Sequence, residues 1–158
     1  MRRSSFWILA LVAVPLAVHA EDDPFGYFLG SWKCSGHFVK SGEAISSTIT
    51  VARDEQTSAL IVRHDDDPPH AYHAMEVWAA ARTPGQLRAV IADKFSGERW
   101  YSSEGWKGDS LVWSRSEDGH EVERFAYARQ SERSMKVDWL VAKNGEFVLG
   151  DTLDCAKL

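Results

Sequence analysis

The chain lacks the short motifs of the common enzyme classes. It contains no Gly-x-Ser-x-Gly nucleophile motif, no His-Glu-x-x-His zinc motif and no glycine-rich sequence that would hold a nucleotide phosphate. Its two cysteines stand far apart, so neither belongs to a Cys-x-x-Cys redox pair. No catalytic residue and no cofactor are therefore predicted. A carboxylate such as Glu76 or Glu104 could act as a base only if the fold aimed it at a substrate.

An excess of positive charge is also absent. The chain has 23 acidic and 18 basic residues, which gives a formal net charge of −5 at pH 7. A nucleic-acid partner would favour a basic surface that displaces counterions from phosphates. Anionic membranes attract proteins through the same kind of charge. Neither partner is predicted.

Long apolar runs are absent outside the N-terminus. Two arginines precede the apolar run Phe6–Val18, and Ala20 ends a small-residue pattern typical of signal-peptidase sites. The run is shorter than the roughly 20 residues that span a bilayer. We expect residues 1–20 to be a cleaved signal peptide and residues 21–158 to form one exported domain, periplasmic or secreted, with no membrane span after cleavage. An uncleaved anchor is the alternative.

Helical periodicity is scarce, and short alternating segments replace it. Met135, Val137, Trp139 and Val141 alternate with more polar residues, as in a half-buried strand. Turn pairs such as Asn144-Gly145 recur along the chain and favour hairpins. The pattern predicts an all-β fold: a single antiparallel up-and-down β-barrel of about ten strands. A β-sandwich is the alternative.

Cys34 and Cys155 lie on the mostly apolar faces of the first and last predicted strands. In a closed meander these two strands are neighbours, so the two sulfurs come within bonding reach. An exported protein folds where disulfides persist. We predict a structural disulfide that ties the first strand to the last. Two buried free thiols are the alternative.

The segment Phe28-Leu29-Gly30-Ser31-Trp32, followed by Gly36, resembles the start of the first strand in lipocalin-like barrels. The chain is most similar to bacterial lipocalin-like families of unknown function, which share a ten-strand plan with nitrobindin-type barrels. The resemblance implies that Gly30 and Trp32 are structural, with the tryptophan closing one end. It also implies that the interior binds a small apolar or amphipathic ligand. Nitrobindin-type barrels hold haem through a histidine near the chain's end, and this chain has none after His120, which argues against haem.

Tryptophan is abundant, with seven in the chain. Such residues either fill a core or line a cavity that stacks on a ligand. If the face shared by Trp100, Glu104 and Trp106 is inward, Glu104 could meet Arg115 across the strands. The candidate ligand-binding residues are Trp78, Trp100, Glu104, Trp106, Trp113, Arg115 and Trp139. The alternative is a filled barrel that acts through its surface as a structural or protein-interaction part of the cell envelope. The oligomeric state is not predicted.

One stretch has the side chains of a metal site. Residues 64–73 contain three histidines and three aspartates. His70 and His73 would face opposite sides of a strand, but His64 and His70 could meet across a hairpin with an aspartate as third ligand. A solvated acidic turn at the barrel rim explains the stretch better, so we predict no metal, with His64 and His70 as the weak candidates.

Overall fold

The computed structural model describes residues 23–158 and shows an all-β protein with almost no helix. The predicted signal peptide, residues 1–20, lies outside the described residues. Within the described range, no helix has the length and apolar character needed to cross a membrane.

Over residues 23–158 a short 3-10 helix, Gly26–Phe28, precedes eleven strands, one of which has only two residues. The strands are β1 (Gly30–Phe38), β2 (Ala44–Arg53), β3 (Leu60–Asp66), β4 (His73–Ala80), β5 (Leu87–Asp93), β6 (Gly97–Ser103), β7 (Trp106–Lys107), β8 (Ser110–Glu117), β9 (His120–Ser131), β10 (Ser134–Lys143) and β11 (Glu146–Lys157).

The ten long strands form one closed antiparallel barrel. Each of them pairs with the next in the chain, and β1 pairs with β11. The ring is completed between β6 and β8, where Ser102 faces Ser114, and the short β7 folds back on β8. The predicted up-and-down barrel of about ten strands is confirmed.

The predicted disulfide is also confirmed. Cys34 and Cys155 are directly opposite each other in the β1–β11 pair and are bonded. Both side chains are buried. Two residues further along β1, Gly36 lies opposite Leu153. The two backbones approach closely there, since a Cβ on Gly36 would lie 1.8 Å from the carbonyl oxygen of Thr152. The bond therefore joins the first and last strands of the barrel close to this approach.

Aromatic side chains fill the barrel end where β1 begins. Phe28, Trp32, Trp78 and Trp113 are all almost fully buried there. The indole Nε1 of Trp32 donates a hydrogen bond to the carbonyl oxygen of Phe28 at 2.7 Å, which fixes the 3-10 helix across the barrel end. Gly30 begins β1 with a φ of 109°, a conformation that favours glycine. Gly30 and Trp32 thus lie at this filled end of the barrel, which we call the closed end.

Candidate functional site

The opposite half of the barrel encloses a cavity of about 300 Å³. Its walls come from the strand ends furthest from Trp32, including the end of β1 and the start of β2. An apolar surface covers most of it, formed by Phe38, Ile45, Ile49, Ile91, Val137 and Leu153. The barrel is therefore filled at one end and hollow at the other.

Strand alternation explains which side chains reach the cavity. In β9 the inward residues are Glu123, Phe125 and Tyr127, and the residues between them face outward. The sequence left this strand ambiguous, because Val122, Arg124 and Ala126 form an equally regular set. The inward set carries a carboxylate, so the interior must supply it with partners.

Glu123 is the centre of a buried hydrogen-bond cluster on one cavity wall. Its carboxylate accepts hydrogen bonds from Arg99 and Arg115, each at 2.7 Å. Tyr101 donates a third at 2.8 Å and Trp139 a fourth at 2.7 Å. The Glu123 side chain is only 5% exposed. Four donors on two oxygens satisfy a carboxylate that burial alone would destabilise.

The charges within this cluster largely cancel. Asp93 accepts a 2.5 Å hydrogen bond from Arg99 and two more from the backbone N–H groups of Phe95 and Ser96. Burial raises the pKa of Glu123, but the bonds from Tyr101 and Trp139 and the two guanidinium groups outweigh it, so the net pKa is lowered. Two carboxylates therefore face two guanidinium groups, and this wall presents little net charge.

A second polar group on the cavity wall has fewer hydrogen-bond donors for its carboxyls. It consists of Glu76, His64, Asp66 and Asp151. Glu76 is 4% exposed and accepts a 2.7 Å hydrogen bond from the indole Nε1 of Trp78. The Nε2 atom of His64 lies 3.5 Å from Asp66 and, within residues 23–158, has no hydrogen-bond partner although it is buried. Three carboxyls thus share one imidazole, and we call these four residues the acidic wall.

The pKa values of the acidic wall show the cost of this arrangement. Burial raises the pKa of Glu76, and His64, the Trp78 hydrogen bond and the charge of Arg99 only partly oppose it. Burial also raises the pKa of Asp151 to about 6, with His64 lowering it and the negative charges of Asp66 and Asp138 raising it further. These carboxyls would be stabilised in their charged form by a cation or a hydrogen-bond donor placed in the cavity.

The cavity mouth is lined by two aromatic rings. Tyr72 and Phe95 come from the β3–β4 and β5–β6 connections and stack with their centroids 6.5 Å apart. Phe95 is 65% exposed. The mouth therefore presents an apolar edge to a molecule that enters.

Among the predicted ligand-binding tryptophans, the structure places Trp139 on the cavity wall. Trp78 and Trp113 lie in the core beneath the cavity, with ring centroids 5.3 Å apart. Trp106 lies at the closed end, where its Nε1 donates to the carbonyl oxygen of Pro24 at 2.7 Å and the Arg129 guanidinium covers its ring. These three rings pack the barrel rather than line its hollow end.

Trp100 and Glu104 do not lie on an inward face with Trp106. Trp100 lies on the outer face and is 65% exposed, because Arg99 and Tyr101 on either side of it point inward. Glu104 is exposed near Lys107, at 3.9 Å. Gly105, with a φ of 75°, breaks the alternation before Trp106.

The contact between Glu104 and Arg115 that such an inward face would have allowed does not form. Arg115 does approach an inward carboxylate, but that carboxylate is Glu123 on the next strand. Arg115 also pairs with Glu117 at the barrel rim. The sequence suggested the correct arginine with the wrong acid, since β9 was the strand whose inward face was ambiguous.

The two weak metal candidates lie in different environments. His64 faces the cavity, as described above. His70 lies at the rim and donates a hydrogen bond from Nε2 to the carbonyl oxygen of Ala44 at 2.8 Å. Across residues 23–158, no three His, Cys, Asp or Glu side chains are grouped in a way that could hold a metal ion.

Sequence reasoning missed Asp151 and Gly150. Gly150 is where β11 is irregular against β10, and a Cβ there would lie 2.4 Å from the Trp139 ring. The missing side chain lets the Trp139 ring lie against the backbone of β11. A glycine inside an alternating strand was the available signal, because such glycines mark bulges or close approaches.

This arrangement can enclose a small molecule with an apolar body against the aliphatic wall and a polar group against the acidic wall. No protein-family model matches the chain, and no curated protein matches it at a significant level.

Proposed function

We propose that this protein is an exported barrel that binds one small amphipathic molecule in its hollow half. The observation that carries the proposal is the cavity of about 300 Å³, which has both an aliphatic wall and uncompensated polar groups. Ligand sites typically have volumes of about 300 to 1,000 Å³ and combine apolar walls with a few placed polar groups. The cavity volume is at the lower end of that range, so the ligand that it can enclose is small.

The chemistry of the ligand follows from the two kinds of wall. Ile45, Ile49 and Ile91 would contact its apolar body, and Trp139 would pack at one side. The acidic wall offers three carboxyl groups against one imidazole, whereas the Glu123 carboxylate already accepts four hydrogen bonds. We infer that the ligand presents a protonated amine, or a neutral donor such as a hydroxyl, to Glu76 and Asp151. An anionic ligand would place its charge beside three carboxyls, whereas the nearest guanidinium, Arg99, is already paired with Asp93 and Glu123.

The test uses two probes of similar shape and opposite charge. 1-Naphthylmethylamine carries a cation on an aromatic body, and 1-naphthaleneacetate carries an anion. Isothermal titration of the purified protein should give binding of the amine and much weaker binding of the acetate. Absence of binding for both would refute the amphipathic cavity proposal, and tighter binding of the acetate would refute the role of the acidic wall.

Matched tryptophan variants separate the cavity from the outer surface. Trp139→Ala should weaken amine binding, because it removes a cavity wall, whereas Trp100→Ala removes an exposed ring and should leave binding unchanged. Glu76→Gln keeps the shape but removes the charge and should weaken amine binding about tenfold or more, as expected for a charge-assisted hydrogen bond. Equal effects of Trp139→Ala and Trp100→Ala would contradict the site.

Export and family membership belong to the same proposal. Residues 1–20 would direct the chain out of the cytoplasm, and the Cys34–Cys155 bond is compatible with the oxidising compartment that export implies. The ten long strands and the buried Trp32 support a lipocalin-like barrel. Expression of the full chain, followed by fractionation and intact mass measurement, should find a product that begins at Glu21. Recovery of the uncleaved chain in the cytoplasm would contradict export.

A further inference from the structure

The outer face of β3 to β6 carries an apolar row that crosses all four strands. Consecutive register partners in this row are Ile61, Val77, Val90 and Trp100. Ile61 is 37% exposed and Trp100 is 65% exposed. Contiguous apolar surface of this kind marks interaction sites.

The adjacent row on the same face combines apolar residues with one charge at each end. Its register partners are Arg63, Met75, Ala92 and Glu98. Met75 is 49% exposed. Within residues 23–158, neither Arg63 nor Glu98 forms a salt bridge. We call these two rows the β3–β6 face.

The outer face of β1 and β2 has a different composition. Its outward residues include Lys33, Ser35, Thr48 and Thr50, which are all polar or charged. The apolar character of the β3–β6 face is thus a local feature and not a property of the whole barrel exterior.

We propose that the β3–β6 face joins two copies of this chain in a symmetric dimer. A two-fold axis that runs along the strands between β4 and β5 would place β3 of one copy opposite β6 of the other. Ile61 would then meet Trp100 of the second copy, and Arg63 would meet Glu98 of the second copy. Both contacts occur twice, as an isologous interface requires.

The charges favour a second copy over an unrelated partner. Arg63 and Glu98 lie at opposite ends of the same row. The proposed axis therefore places Arg63 of each copy against Glu98 of the other, which gives two intermolecular ion pairs. The apolar row is likewise complementary to itself, since valine meets valine at the centre. A different protein would need to match this arrangement independently.

The side-chain sizes fit two convex surfaces. Each barrel curves away from the axis on both sides, so the gap between the two copies widens from β4 and β5 toward β3 and β6. Along β4 and β5, next to the axis, the face carries the small side chains of Val77, Val90 and Ala92 and the flexible side chain of Met75. The flanking strands carry the long side chains of Arg63 and Trp100. Long side chains at the flanks can bridge the wider gap, and a large aromatic ring is a typical anchor of an interface.

Sedimentation equilibrium of the disulfide-bonded protein tests the proposal. Over a concentration range from about 1 µM to about 1 mM, the weight-average mass should rise toward twice the chain mass. A mass that stays at one chain over this whole range would overturn the proposal, and so would association into larger species without a dimer plateau.

Two matched variants locate the interface. Ile61 and Val148 are each 37% exposed, but Val148 lies on β11, away from the β3–β6 face. Ile61→Lys should raise the dimer dissociation constant at least tenfold, and Val148→Lys should leave it within about twofold of the original value. Equal effects of the two variants would overturn the location. Melting curves of both variants establish that each one folds.

A charge exchange tests the orientation of the two copies. Arg63→Glu places two carboxylates opposite each other on both sides of the axis, and Glu98→Arg places two guanidinium groups there. Each single variant should weaken the dimer, and the double variant Arg63→Glu/Glu98→Arg should restore it. A double variant that is weaker than both single variants would overturn the proposed axis.

Discussion

Replacing Glu123 by alanine would remove the centre of the buried cluster without touching the backbone. Arg99, Arg115, Tyr101 and Trp139 would each lose a hydrogen-bond acceptor. The Arg99 side chain is only 11% exposed, and its remaining carboxylate partner would be Asp93. Arg99 would keep only Asp93 and Arg115 only the exposed Glu117 at the rim, and both guanidinium groups would border an empty space.

The size of the effect follows from the charge that remains. Removing one partner of a buried ion pair costs about 3 to 5 kcal/mol, because the other charge stays buried without compensation. Glu123→Gln should cost less than Glu123→Ala, since glutamine keeps one acceptor oxygen. It should still destabilise the fold, because its NH₂ group would face arginine donors. We therefore expect the order wild type, Glu123→Gln, Glu123→Ala in decreasing stability.

Urea unfolding with the disulfide intact measures this directly. With a slope of about 2 kcal/mol per molar urea, a loss of about 4 kcal/mol lowers the midpoint by about 2 M. Glu104→Ala is the control, because Glu104 is an exposed carboxylate outside this cluster, and its midpoint should not change measurably. If Glu123→Ala unfolds at the same urea concentration as the wild type, the cluster does not have the energetic role that its geometry implies.

Three further predictions concern stability. Replacing both Cys34 and Cys155 by alanine should lower the free energy of unfolding by about 5 kcal/mol on the chain-entropy model, as the bond closes a loop of 121 residues; an unchanged urea midpoint would contradict this. Trp32→Ala should cost about 3 to 5 kcal/mol by calorimetry, since it empties the closed end; a native-like melting temperature would refute the packing role. Because the pKa of Asp151 is raised from 3.8 to about 6, the folded state binds more protons than the unfolded state between these values. The Asp151 contribution to stability should therefore fall as the pH rises from about 4 to about 6. Asp151→Asn should remove that slope, and identical pH profiles would contradict the raised pKa.

The fold was predictable because its signals are local. Asn144-Gly145 and similar pairs mark the turns, and alternation within each segment marks the strands. Once the strands are counted, an up-and-down barrel makes the first and last strands neighbours, so the Cys34–Cys155 bond follows from topology alone. None of these inferences required a long-range contact to be known in advance.

The site was only partly predictable because its side chains depend on distant partners. Glu123 is buried only because Arg99 and Arg115, on two other strands, neutralise it. The sequence of β9 offered two equally regular faces, and nothing near Glu123 decides between them. Glu76 and Trp78 are two residues apart on β4 and share its inward face, but whether that face bounds a cavity depends on the packing of the whole barrel.

The misplaced tryptophan has a similar cause. Trp100 is a large apolar residue in an alternating strand, and such a residue is usually assigned to the interior. Its neighbours Arg99 and Tyr101 occupy the interior instead, because both contact the Glu123 cluster. A charged side chain that is inward for electrostatic reasons thus forces the aromatic ring next to it outward.

Isoleucine methyl NMR tests the binding proposal most directly. Residues 23–158 contain four isoleucines; Ile45, Ile49 and Ile91 line the cavity, whereas Ile61 lies on the outer face. At fixed protein concentration, a titration with 1-naphthylmethylamine should move the δ1-methyl signals of the three cavity isoleucines together and to saturation, and leave Ile61 in place. If the three cavity signals stay fixed at high probe concentration, or if only Ile61 moves, the barrel interior is not the binding site.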